Sequence, residues 1–285
     1  MTDLQKIVGE RARASFESFP EIDYLPSGQS RWSHLSINER GRDKMGETSA
    51  VICGLARDVA DVLPATIARI EKLGRMFGDY QVVIYENDSQ DKTRAMLNAW
   101  ANDNPKVACI FEDRDDPINL QIRDLDRATR MAYYRNQCRK FVADNYDEHQ
   151  YCVVVDTDLP RGWSFEGVAN TFGHVGWDMV GSNSLLHDHR SARARGYPLY
   201  FDVWALRIKS YEAVDGTAGN EMYWEPGGDL VPVKSCFGGL GVYKMEAMKR
   251  CSYSGVDCEH VPFHRQMSQQ GMSRLFMNPS QVVLY

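Results

Sequence analysis

No stretch of this 285-residue chain reaches the roughly eighteen apolar residues that a membrane-spanning helix needs. The first ten residues contain no basic segment followed by an apolar one, so no secretory leader is expected. The expectation is a soluble, cytoplasmic protein. The seven cysteines are scattered without a single Cys-x-x-Cys pair. Their odd number and spacing argue against a closed disulfide framework and against a zinc cluster, and most read as small buried apolar residues. Basic residues are also in deficit. With 33 lysines and arginines against 39 aspartates and glutamates, the net charge is -6, which offers no global attraction for nucleic acid or anionic membrane. Repeats and low-complexity tracts are missing, while hydrophobic (43%) and charged (25%) contents are those of an ordinary globular protein.

What is present is a regular alternation of apolar runs and amphipathic stretches. Residues 1–48 are polar and show no sustained period, which reads as an N-terminal extension that wraps the domain or is partly mobile. From Ser49 the pattern changes. Short apolar runs at 50–55, 80–85, 107–111 and 151–155 read as buried strands. Between them, Leu63 to Phe77, Asp91 to Trp100 and Met131 to Phe141 carry helical stripes, with Asp91 a candidate N-cap. Strands alternating with helices at this rhythm predict an α/β fold, a mostly parallel sheet flanked by helices. Beyond Asp158 the rhythm weakens, with strands expected at 178–181, 200–206 and 238–243 and a helix from Met245. One domain over 49–285 is expected, with a nucleotide-binding half at 49–160 and a less regular acceptor half at 161–285.

Acid-x-acid triplets occur at Asp113-Arg114-Asp115, Asp124-Leu125-Asp126 and Asp156-Thr157-Asp158. Only the third follows an uninterrupted apolar strand, Tyr151 to Val155, and so falls at a strand's C-terminal end, where open α/β sheets place ligands. Two carboxylates there suit a divalent metal carrying a diphosphate, because hard cations prefer oxygen ligands. The alternative is that they cap the next helix near Ser164.

Three strand ends together resemble the GT-A superfamily of nucleotide-sugar glycosyltransferases: Leu55-Ala56-Arg57-Asp58, Glu86-Asn87-Asp88-Ser89-Gln90-Asp91-Lys92-Thr93 and Asp156-Thr157-Asp158. The second is similar to the acidic Ser-x-Asp-x-Thr loop of family 2 enzymes, and the whole has some similarity to the capsule-associated mannosyltransferases. The resemblance spans residues 49–285 and is more specific in the first half. It implies a nucleotide pocket lined by Ala56, Arg57 and Glu86, with Glu86 against the base. It further implies that Asp156 touches the ribose or the metal, that Asp158 binds the metal directly, and that Arg135, followed by Asn136, approaches the diphosphate. A guanidinium suits that bidentate contact, though a surface salt bridge would explain Arg135 equally well.

In the second half, Gly238-Gly239-Leu240-Gly241 resembles the glycine-rich strand lying against the donor sugar. Asp257-Cys258-Glu259-His260 stands where family 2 inverting enzymes carry a Glu-Asp motif, with His260 replacing the second acid. Glu259 is therefore the candidate base for an inverting reaction. His264, or else His260, is a candidate third metal ligand, since imidazole accepts manganese. The run His187 to Gly196 is the dense basic cluster, readable as a lid or as a solvated loop.

The resemblance implies a glycosyltransferase that uses Mn2+ or Mg2+ and moves a sugar from a UDP- or GDP-linked donor to a glycan, glycolipid or other large acceptor. A sugar-nucleotide pyrophosphorylase is the neighbouring alternative, but Gly54 to Asp58 is too poor in glycine and basic residues for its phosphate loop. A non-catalytic carbohydrate-binding protein of the same fold, and an acceptor on modified nucleic acid, also stay open.

Overall fold

The apolar runs of the first half become four parallel strands. The computed structural model describes residues 19–28, 30–117, 123–187 and 190–285. A single 3-10 turn at Glu21–Tyr24 leads into α1 (Ser30–Gly46), and then β1 (Ser49–Ala56), α2 (Leu63–Gly74), β2 (Asp79–Asn87), α3 (Thr93–Asp103), β3 (Val107–Glu112), α4 (Leu125–Asn145) and β4 (Tyr151–Asp156) alternate. The second half continues with α5 (Phe165–Gly173), β5 (Met179–Leu186), α6 (Arg190–Arg195), β6 (Leu199–Tyr200), α7 (Gly216–Asn220), β7 (Val231–Pro232), β8 (Leu240–Lys244), α8 (Met245–Arg250), α9 (His260–Gln269) and β9 (Leu275–Leu284).

These strands form one mixed sheet in the order β3-β2-β1-β4-β8-β5-β9-β7, with β6 hanging from β5. β1 to β4 pair in parallel, as do β5 and β9, whereas β8 runs antiparallel between β4 and β5. The alternation of strand side chains divides the interior into two layers. Val51, Cys53, Val83 and Tyr85 face α4, α8 and α9, while Ala50, Ile52, Val82 and Ile84 face α2, α3 and α5.

Three elements differ from the sequence expectation. Residues 200–206 are a strand only at Leu199–Tyr200, after which the chain turns through Phe201 and Asp202. Ser30–Gly46, read as part of a polar extension, is a 17-residue helix. It lies on α5 through Gly41 and Gly173; a Cβ on Gly41 would run into the carbonyl oxygen of Ala169. Its buried face is His34, Asn38, Gly41 and Met45, which gives no apolar stripe to read. β9 also escaped notice, because Asn278-Pro279-Ser280 interrupts its apolar run where the β5–β9 register shifts beside Ser182 and Asn183.

A buried polar chain stitches α1, α5, β9 and β5 together. Asn170 donates to Asn38 (2.8 Å), Asn278 donates to Thr171 (2.9 Å), Thr171 donates to Gln281 (2.7 Å) and Gln281 donates to Ser182 (2.9 Å). Each link satisfies a polar group that would be costly to bury alone.

Candidate functional site at the carboxyl edge of the sheet

The parallel strands β1, β2 and β4 all end on one edge, and the motif residues follow them. At the end of β4, the Asp156 N–H donates to Gly239 O (2.9 Å), which ties the acidic motif to the turn entering β8. Between the two acids, Thr157 is buried; its hydroxyl donates to Leu55 O (2.6 Å), and its carbonyl accepts from Thr66 (3.0 Å). Arg69 of α2 donates to Leu159 O (3.1 Å), so the backbone on both sides of Asp158 is held by the neighbouring layer. Asp158 itself is exposed and makes no side-chain hydrogen bond among the described residues. Neither acid caps the following helix. Ser164 does, accepting from the Gly167 N–H (2.7 Å), and Glu21 accepts from the Phe165 N–H (2.7 Å).

Asp156 is more enclosed. Its Oδ1 accepts from Arg135 (3.2 Å) and its Oδ2 from the Tyr285 hydroxyl (3.5 Å). Burial pushes its proton affinity up to about 7, with the charges of Asp158 and Asp202 adding to the rise and Arg135 opposing it. Arg135 sits on α4 with its guanidinium buried between two acids, donating from Nε to Glu259 Oε1 (2.8 Å) as well as to Asp156. It is a bridge rather than a surface salt bridge, and it lies 4.8 Å from the Phe237 ring centroid. Asn136, next along α4, instead clamps the backbone of Tyr253 from both sides.

Gly238 and Gly239 occupy left-handed conformations (φ 71° and 85°) that disfavour a side chain. A Cβ on Gly239 would come 2.5 Å from the Tyr285 hydroxyl, whose ring stacks on Phe201 at 4.1 Å. The bare glycine backbone therefore lets Ser182 pack against Gly238 and the Tyr285 hydroxyl against Gly239, right beside Asp156.

The nucleotide-side residues divide differently from the expectation. Ala56 is buried in the core layer beside Ile84 and Leu97, not in a pocket wall. Glu86 is fully buried, and its carboxylate is spent within the loop, accepting from Ser89 N–H (2.8 Å) and Arg94 Nε (2.6 Å). Arg57 donates to the carbonyls of Asp116 (2.8 Å) and Pro117 (3.1 Å), and so fixes the segment after β3. Asp88 is the hub of this edge. At φ 56° it accepts from the Arg114, Asp115 and Asp116 N–H groups and from Asn87. Partial desolvation opposes ionisation, but these donors outweigh it and hold its carboxyl down at about 2.

The acceptor-side expectations also separate. Glu259 is 3% exposed, with Oε1 bound to Arg135 and Oε2 contacted by Cys258 Sγ (3.8 Å). A carboxylate so enclosed is poorly placed to meet an acceptor hydroxyl. His264 has both ring nitrogens engaged, Nδ1 with Ser235 (2.8 Å) and Nε2 with Tyr243 (3.1 Å), and burial lowers its proton affinity to about 3. It does not join the Asp156–Asp158 group. His260 is buried and stacked on Phe237 at 3.9 Å, and neither ring nitrogen is hydrogen-bonded. Burial first, then Arg135 and His264, keep it neutral. Of the basic run, 188–189 lie outside the described residues.

One acid was missed altogether. Asp202, just beyond β6, accepts from the Gly238 N–H (2.8 Å) and is coupled electrostatically to Asp156 and Glu259. Burial raises its proton affinity to about 6, against the Gly238 and Ala205 N–H groups. The signal was an acid inside the aromatic run Tyr200-Phe201-Asp202-Val203-Trp204, where a continuous strand would have had no use for it.

Among the described residues no group of three or more histidine, cysteine, aspartate or glutamate side chains is arranged to hold a metal. That rules out a closed protein cage there, but it fits a hard cation bound by one or two carboxylates with substrate phosphate oxygens completing the shell. The exposed carboxylate of Asp158, with Asp156 beside it, matches that donor set.

The mixed sheet, with β8 antiparallel between β4 and β5 and helices on both faces, is a GT-A-type α/β fold. The solved mannosyltransferase PcManGT from Pyrobaculum calidifontis, in complex with GDP-Man and Mn2+, is similar over 99% of this chain and 68% of its own, with a TM-score of 0.50 at 12% identity. GalNAc-T7 with UDP, GalNAc and Mn2+ aligns over 84% of this chain and 44% of its own (TM-score 0.49, 12% identity). Staphylococcus aureus TarS 1-349 aligns over 83% and 60% (TM-score 0.45, 10% identity). At 12% identity the likeness to the mannosyltransferase is one of fold alone. No family model and no curated protein matches the sequence. Among the described residues no helix is long and apolar enough to cross a membrane.

Proposed function

We propose that this protein is a metal-dependent glycosyltransferase that takes its sugar from a UDP- or GDP-linked donor and passes it to a hydroxyl of a glycan or other large acceptor. The observation that carries this reading is Asp158. It is an exposed carboxylate with no side-chain hydrogen bond among the described residues, on a backbone fixed from both sides and two positions from the Arg135-anchored Asp156. An acid held in place and left unsatisfied at the carboxyl edge of a parallel sheet suits ligand binding better than structural support.

In the reaction, the bond between the sugar's anomeric carbon and the diphosphate breaks while negative charge gathers on the departing phosphate. A divalent cation, when bound by Asp156 and Asp158, supplies Lewis-acid neutralisation of that charge. Arg135 fixes Asp156 and carries positive charge into the same enclosure. The Gly238-Gly239 turn and the stacked Phe201 and Tyr285 rings lie beside Asp156, and we assign the sugar to that side of the acid. Asp202, not Glu259, is the carboxylate we assign to receive the acceptor proton. It accepts from the Gly238 N–H in the turn beside Asp156, and a group titrating at about 6 is a competent base near neutral pH.

The direct test is calorimetric titration of UDP and GDP with and without Mn2+, on the wild type and Asp158→Ala. Metal-dependent nucleotide binding that is lost in the variant is expected. Binding equally strong without metal, or undiminished in the variant, would refute the assignment.

A further inference from the structure

The start of α4 carries a set of arginines that the donor chemistry does not use. Arg127 and Arg130 are one helical turn apart and both half-buried. The Nε of each is sealed from solvent without a hydrogen-bond partner, and neither guanidinium forms a hydrogen bond or ion pair among the described residues. In a chain with more acids than bases, that is a conspicuous omission. Their neighbour Asp124 is spent on capping the helix, accepting from the Arg127 N–H (2.7 Å). Asp126, also in the first turn, forms no ion pair with either.

The Arg127 guanidinium lies 5.3 Å from the centroid of the half-buried Trp204 ring, two residues beyond Asp202. Arg123, just before the helix, is close enough to lower the proton affinity of Asp202. An indole beside unpaired guanidinium groups offers one surface for a sugar face and another for a negative charge. The helix sets the distance. Arg127 precedes the metal-side Arg135 by eight residues, about 12 Å along the axis, roughly the span of two sugar units. The donor diphosphate belongs at the Arg135 level, so a charge at Arg127 and Arg130 belongs to the other substrate.

We infer that Arg127 and Arg130, with Trp204 as platform, form an acceptor subsite for a glycan bearing an anionic group, a carboxylate or a phosphate, one to two sugar units from the hydroxyl that reacts. The inference rests on the glycosyltransferase reading for what it calls the acceptor, but the binding site itself is testable alone.

Three tetrameric probes separate the cases: tetragalacturonate, its uncharged methyl ester, and a glycerol phosphate tetramer, each titrated into the full chain and into Arg127→Gln/Arg130→Gln. A charged probe should bind, weakening as salt rises, with its affinity reduced about tenfold or more both by esterification and by the double variant. Uronate binding assigns a carboxylate ligand, and glycerol phosphate binding a phosphate. The variant must bind nucleotide and Mn2+ as the wild type does, which shows that it is folded. Failure of both charged probes to bind, equal binding of the ester, or full affinity in the double variant overturns the subsite. If charged probes bind but no nucleotide does, the subsite stands and the glycosyltransferase reading falls.

Discussion

Arg135 is the residue on which the two halves of the site depend, since it pairs at once with Asp156 of β4 and Glu259 before α9. Removing one member of a buried pair strands the other, so Arg135→Gln should cost about 3–5 kcal/mol of stability. The Glu259→Gln change should cost less, because the amide oxygen still accepts from the guanidinium. Thermal melts of the two variants decide this; equal losses would show that Glu259 is not held through Arg135. At Asp202, the Asn variant keeps an acceptor for the Gly238 N–H but cannot take a proton. A fall in kcat of about 10²–10⁴ with little change in nucleotide affinity is expected, and undiminished turnover would return the base role to another group. Asp88 gives the pH dependence. Its folded-state value of about 2 lies below the ordinary 3.8, so its stabilising contribution is complete above about pH 4 and is lost as pH falls towards 2. Asp88→Asn should flatten the acid limb of a stability profile in that window alone.

At the scale of elements, legibility followed the nature of the buried face. β1, β2 and β4 were readable because both of their faces are apolar, and the acids that end them stand out by contrast. α1 was unreadable because it packs with polar atoms and a glycine, and β9 because its bulge breaks the run. The site residues show the same split. Arg135 reaches Asp156 across from α4, whereas Glu86 and His264 are satisfied inside the fold, as pattern alone could not reveal. The α1–α5 contact is testable. Gly41→Ala should destabilise by about 1–3 kcal/mol through overpacking, seen as a lower melting temperature, while the conservative exchange Met45→Leu in the same helix should cost less.

For the whole molecule, ligand linkage gives a readout that needs no acceptor. A nucleotide that binds the folded state alone should stabilise it by about 2.7 kcal/mol at a hundredfold excess over its Kd. Melts with UDP, GDP and Mn2+ should show this shift for one nucleotide and lose it with a chelator.

The insertion of β8 between β4 and β5 also bears on how the chain reaches its working form. β4 finds its second neighbour only in a strand encoded far downstream, and Asp156 finds its anchor in the turn that begins that strand. The four parallel strands are synthesised before β8, and their inner edge stays unpaired until β8 arrives. The acidic motif is thus assembled late and all at once, and the first half produced alone would present an open, apolar strand edge prone to association.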